Sequence, residues 1–158
     1  MAIENFIDEI TKLWDQVSDG QGGSVRSYRV FERDEFPEAL ADFPCALTYT
    51  TEVENVYSLG GPLVDLWKGV TEFHLFPNED KRNFPAIMKF FARIRNAAAG
   101  SMTLGGKATH FLLRNAETGG SSIVGPVSLK YGGEEPHHGL LVYWEVKENV
   151  SGDYNPAA

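Results

Sequence analysis

The chain has one cysteine, Cys45, in 158 residues, so no disulfide can form within it. No apolar run approaches the roughly 20 residues that a membrane-crossing helix takes, so no membrane partner is expected. The first ten residues carry Glu4, Asp8 and Glu9 where a secretory leader is basic and then continuously apolar, and the expectation is a chain made and folded in a cytoplasm. Positive charge is also short. Fourteen Lys and Arg against 22 Asp and Glu leave a formal charge of -8, which repels nucleic acid over the molecule as a whole. Internal repeats and low-complexity tracts are missing too. What remains, 42% hydrophobic and 23% charged residues, is the balance of a folded globular protein, and the length suits one domain over residues 1–150 with a tail at 151–158.

Chemical motifs are equally scarce. Gly20-Gln21-Gly22-Gly23 follows a helical pattern, whereas a phosphate-binding loop leads from a strand into a helix, so a plain turn is expected. The stretch ending at Gly106-Lys107 nearly matches a phosphate-loop motif but has Ser101 and Ala108 at two defining positions, and it is rejected. Glu134-Glu135-Pro136-His137-His138 is the best case for a metal or acid-base centre. Adjacent histidines in a strand point to opposite faces, however, so a solvated loop is the better reading. His74 and His110 lie in strand-like stretches and are expected to be hydrogen-bonded, and Cys45, between Pro44 and Ala46, is expected to be structural. Asn149-Val150-Ser151 fits a glycosylation pattern by coincidence, and no serine has a nucleophile-elbow context.

Periodicity organises the rest. Ile3, Phe6, Ile7, Ile10, Leu13, Trp14 and Val17 recur at helical spacing and predict a first helix that stops at the glycines. Strands are predicted at Val25 to Phe31, Cys45 to Leu59, Leu66 to Phe76, Ala108 to Arg114, Ile123 to Tyr131 and Leu140 to Lys147. In the second of these the odd-numbered side, Leu47 to Asn55, is expected to face inward. Gly60-Gly61-Pro62 joins the second and third into a long antiparallel hairpin, whose tip with Tyr57, Leu59 and Leu63 needs a partner or local packing. Phe43-Pro44 and Phe36-Pro37 bracket a connector with one possible helical turn at Glu38 to Asp42. Gly125-Pro126 predicts an edge or a bulge, Leu140 to Lys147 a central strand, and Asn149 to Ala158 a disordered tail.

The second helix, Asn83 to Ala98, sets Phe84, Ile87, Phe91, Ile94 and Ala98 on an apolar face with Met88 beside them. Lys81, Arg82, Lys89, Arg93 and Arg95 form its basic side, and no Asp or Glu occurs between Asp80 and Glu117. In an acidic chain such a face suits head-to-tail self-association better than nucleic-acid binding.

The order of these elements resembles the tail terminator proteins of long-tailed bacteriophages. The acidic first helix, Phe43-Pro44-Cys45-Ala46-Leu47, the hairpin with Trp67, Glu72-Phe73-His74-Leu75-Phe76, the second helix and Gly139 to Val146 carry the likeness over about Met1 to Lys147. The resemblance implies an α+β fold, a mixed or mainly antiparallel sheet with two helices packed on it and a long β-hairpin. It also implies a homohexameric ring at the neck end of the virion tail that caps the tail tube, ends its polymerisation and docks the head-tail connector protein. Such a ring has no catalytic residues and no cofactor, and DNA passes its lumen without specific binding. Its natural contacts here are the hairpin tip (Tyr57, Leu59, Gly60, Gly61, Pro62, Leu63), the tail with Tyr154, and Lys89, Arg93 and Arg95. The alternatives are another phage neck or tail-completion protein, an enzyme centred on Glu135, His137 and His138, and a nucleic-acid module using the basic helix.

Overall fold

A computed structural model describes residues 2–30, 36–37, 40, 43–56, 63–100, 110–115, 120–131 and 136–150. In chain order they form α1 (Ala2–Trp14), β1 (Arg26–Arg29), β2 (Cys45–Val56), β3 (Leu63–Phe76), a 3-10 turn (Lys81–Asn83), α2 (Phe84–Ala99), β4 (His110–Leu113), β5 (Ile123–Leu129) and β6 (His137–Val150). The fold is α+β. Its sheet runs β1-β2-β3-β6-β4 with β5 also on β6; β1 is parallel to β2 and the other pairs are antiparallel. β6 is the central strand that the sequence predicts: one edge pairs with β3, and the other is shared end to end by β5 (on His137 to Val142) and β4 (on Trp144 to Lys147).

Both helices lie on one side of this sheet. Phe6, Ile7, Ile10, Leu13 and Trp14 of α1 and Ile87, Phe90, Ile94 and Ala98 of α2 bury against Ala46, Phe73, Leu75, Phe111, Leu140, Val142, Trp144 and Val146. Trp14 meets Phe73 edge-on, with ring centroids 5.3 Å apart, a geometry worth about 0.5–1.5 kcal/mol beyond the area buried. Its indole Nε1 donates to Thr71 Oγ1 at 3.0 Å, and Thr71 shares a second 3.0 Å hydrogen bond with Thr48 across the strands. Both threonines are fully buried, so each hydroxyl has its partner inside the core. α1 ends at Trp14, not Val17. Val17 is still buried, and its carbonyl accepts from Val25 N at 2.8 Å across a turn that Gly20 (φ 83°) and Gly22 (φ 91°) permit and Asp19 Oδ1 caps.

Several expectations are corrected. The side of β2 under the helices is the even one, Ala46 and Thr48, whereas odd-numbered Cys45 and Leu47 join Val30 and Leu40 in a second cluster on the opposite face. A strand buried on both faces shows no clean alternation, which is why the pattern misled. On α2, Phe90 is buried, Phe91 is half-buried, and Phe84 and Met88 are exposed, because the buried stripe runs through 87, 90, 94 and 98. β6 extends beyond Lys147 to Val150, taking in Asn149 from the expected tail, because β3 begins at Leu63 and supplies partners for it. The bulge predicted at Gly125-Pro126 is present as a register shift between Val124 and Val127. The helical turn expected at 38–42 falls mostly outside the described residues.

Gly69 lies opposite Trp144 in the β3–β6 register, and a Cβ there would stand 2.2 Å from the indole ring and 2.6 Å from the Tyr49 carbonyl. Gly69→Ala is therefore expected to destabilise the fold by on the order of 1–3 kcal/mol, read as a lower urea midpoint with an unchanged slope. Trp14→Phe, which removes the donor and leaves a cavity where the second ring was, is expected to lower stability by about 2–3 kcal/mol in the same measurement.

Candidate functional site

The face of the sheet away from the helices carries a chain of polar side chains. Tyr49 comes from β2, Glu72 and His74 from β3, and His137 from the first residue of β6. Alternation along β3 puts Glu72 and His74 on one side, and the cross-strand pairs Cys45↔His74 and Leu47↔Glu72 bring β2 beside them. The Tyr49 hydroxyl donates to Glu72 Oε2, Glu72 Oε1 lies 3.0 Å from His74 Nε2, and His74 Nδ1 lies 3.0 Å from His137 Nδ1. A carboxylate only accepts, so Nε2 of His74 carries hydrogen, and in neutral His74 Nδ1 is the acceptor for His137. His74 is fully buried, with the rings of His137 and Tyr131 set edge-on to it.

Electrostatics follow from that geometry. Burial, and then the bond and charge of Glu72, push the Tyr49 phenol well above its ordinary 10. Burial alone would raise Glu72, but hydrogen bonds from His74 and Tyr49 outweigh it and hold the carboxyl below its usual 4.5. Glu72 and Tyr49 also line a cavity of about 370 Å³ with Lys68, Arg114 and Tyr143. This polar set meets its hydrogen-bonding needs largely from within, as a network that fixes strand register does.

Sequence reasoning expected His74 to be hydrogen-bonded but missed its partner 63 residues away. It also expected a solvated loop at 134–138, whereas His137 is buried and opens β6, which adds three residues at that strand's start. His137 and His138 point to opposite faces: His137 joins His74, while His138 Nδ1 accepts from Asp80 N at 3.3 Å and its ring lies near Phe84. Glu135 lies outside the described residues, among which no group of three or more His, Cys, Asp and Glu is arranged to hold a metal. Cys45 is buried, as expected. His110 departs from expectation, since its buried Nε2 has no hydrogen-bond partner.

The basic side of α2 is not one continuous face. Lys89 and Arg93 share a groove with Gly20, Phe43 and Phe76, and Arg93 is engaged there, donating to Ser18 O at 3.2 Å and lying 5.1 Å over the Phe90 ring. Arg95 stands on the other flank, 5.8 Å over Phe91, at the rim of an apolar cavity of about 550 Å³ with Ala98, Phe111 and Ile123. Two residues turn a helix by about 200°, so Arg93 and Arg95 cannot share a side. Arg82 pairs with Asp80 at 2.6 Å. Of the hairpin tip, Tyr57, Leu59, Gly60, Gly61 and Pro62 lie outside the described residues, as does Tyr154; Leu63 opens β3, paired with Val150. Below the tip, β2 and β3 continue as a hairpin braced by β6, which carries β4 on its other edge as far as Lys147, and residues 51–55 of β2 are all exposed, Val53 at 52%.

No protein-family model matches this chain, and no curated protein is significantly similar to it.

In the folded protein the Glu72 carboxyl loses its proton at a lower pH than an ordinary carboxyl does. Its stabilising contribution is complete above its ordinary value and is lost as pH falls through the lower folded value. Glu72→Gln is thus expected to flatten the loss of stability between about pH 5 and pH 3, followed by urea midpoints at each pH. Parallel curves for parent and variant would show that the carboxylate is not held by this network.

Proposed function

We propose that this chain is a tail terminator protein of a long-tailed bacteriophage, a structural virion component and not an enzyme. Copies assemble as a homohexameric ring on the finished tail tube, end its polymerisation and present the surface on which the head-tail connector docks, at the neck end of the tail. The observation that carries the reading is the β2–β3–β6 blade, a long hairpin braced by a third strand and exposed at 51–55, as a contact element between subunits requires. The α+β architecture, with two helices on a mostly antiparallel sheet, agrees with the fold that the order of elements implies. The Tyr49–Glu72–His74–His137 chain is read here as structural, since its members bond to one another.

In this reading the ring works through interfaces alone, with DNA passing its lumen unread. Particles assembled without this protein are expected to carry overlong tail tubes lacking heads, visible by negative-stain electron microscopy. Tubes of normal length in headless particles would favour a different neck protein. Val53→Asp, on the exposed blade, is expected to abolish ring formation in analytical ultracentrifugation while lowering stability by only about 1 kcal/mol.

A further inference from the structure

Between α2 and the end of β3, Phe43, Pro44, Leu75, Phe76, Pro77 and Phe90 line a groove of about 450 Å³. Leu75 and Phe90 are buried, but Phe43 and Phe76 are only half-buried and Pro77 is exposed, so apolar surface stays open to solvent. Asp19, Lys89 and Arg93 supply the charges of the groove, and they do not cancel. Asp19 is turned into its own loop, where Oδ1 accepts from Gln21 N at 2.7 Å and Gly23 N at 3.1 Å. Arg93 donates to Ser18 O, which uses one of its five N–H donors. Lys89 is exposed and has no hydrogen bond or ion pair among the described residues.

Aromatic walls beside free cations select a segment that carries an aromatic ring next to a carboxylate. Residues 151–158, outside the described residues, set Asp153 directly before Tyr154, with Pro156 two residues on. The hairpin tip leaves the sheet at the same end, but residues 57–62 include no acid. Reach then decides whose groove the tail can enter. His138 pairs with Phe76 at the groove, and Val150, from which the tail departs, pairs with Leu63 twelve residues further along β6. At about 3.3 Å per residue the strand holds those two points roughly 40 Å apart. Four residues beyond Val150, Tyr154 extends no more than about 14 Å from it. The groove of its own chain is out of reach.

We propose that this groove receives the segment around Asp153 and Tyr154 from a second copy of the chain, which rests on the ring reading above and names one subunit junction within it. The Tyr154 ring enters among Phe43, Phe76 and Phe90, and the Asp153 carboxylate pairs with Lys89, with Arg93 as a second cation close by. Groove and tail stand at opposite ends of β6, so the contact is head-to-tail, the class of interface that makes a ring when its rotation closes. The exposed residues 51–55 stand at the tail's end of the sheet, so they belong to the same side of the junction.

Two measurements test it. In sedimentation assays Lys89→Glu and Asp153→Lys are each expected to weaken self-association at least tenfold without a lower urea midpoint, with the double variant recovering it. Independently of assembly, a synthetic peptide of residues 149–158 at millimolar concentration is expected to shift the NMR signals of Ala86 and Phe90 in the full-length Tyr154→Ala chain, whose own tail no longer competes. Adding Lys89→Glu to that chain is expected to abolish the shifts. Rings that form normally with both single reversals would overturn the tail contact and leave the ring reading standing. A parent chain that stays monomeric would end the ring reading and the second-copy contact together, and unmoved Ala86 and Phe90 signals would overturn the groove's assignment in either case.

Discussion

A slip of one residue between β3 and β6 would turn every side chain of β6 to the wrong face of the sheet, and the packing of Trp144 over Gly69 is what forbids it. The indole occupies the volume that any side chain at position 69 would need, so the bulky residue of one strand can sit only opposite the one residue without a Cβ. From that register follow the main features of both faces. Thr71 comes under Trp14, where it accepts the indole hydrogen; His74 comes beside His137; and Glu145 comes opposite Lys68. Because β6 has partners along both edges, its placement also positions β4 and β5.

The two faces use polar residues differently. On the helix side, Trp14, Thr71 and Thr48 form a short neutral seam inside an apolar core, which ties α1 to the middle of the sheet. On the far side the polar groups are ionisable. Tyr49, Glu72, His74 and His137 hold one another, and Phe43 packs edge-on against His137. Further along the same face, Glu145 Oε2 and His110 Nε2 have no hydrogen-bond partner, and Arg114 lies 3.9 Å from Glu145.

Much was legible from local pattern. The helices announce themselves through apolar residues at 3.6-residue spacing, the β2–β3 hairpin through strand-like runs around Gly60-Gly61-Pro62, and the bulge in β5 through Gly125-Pro126. The closure of the Gly20–Gly23 turn was equally plain, since glycines after a helix admit the positive φ angles found there. Each of these depends on residues within a turn or two of one another. The candidate site was far less legible. His74 and His110 look alike in sequence, each a histidine in a strand, yet one is fully bonded and the other has a stranded nitrogen.

By itself the sequence determined the kinds of element and their order, because propensity and periodicity act between near neighbours along the chain. Only the tertiary structure decided which side of β2 meets the helices, which phenylalanine of α2 is buried, where β6 ends, and that Lys68, opposite Glu145, bonds Glu54. These outcomes turn on strand register and on competition for a partner between residues far apart in the chain, and no spacing rule along one strand contains them.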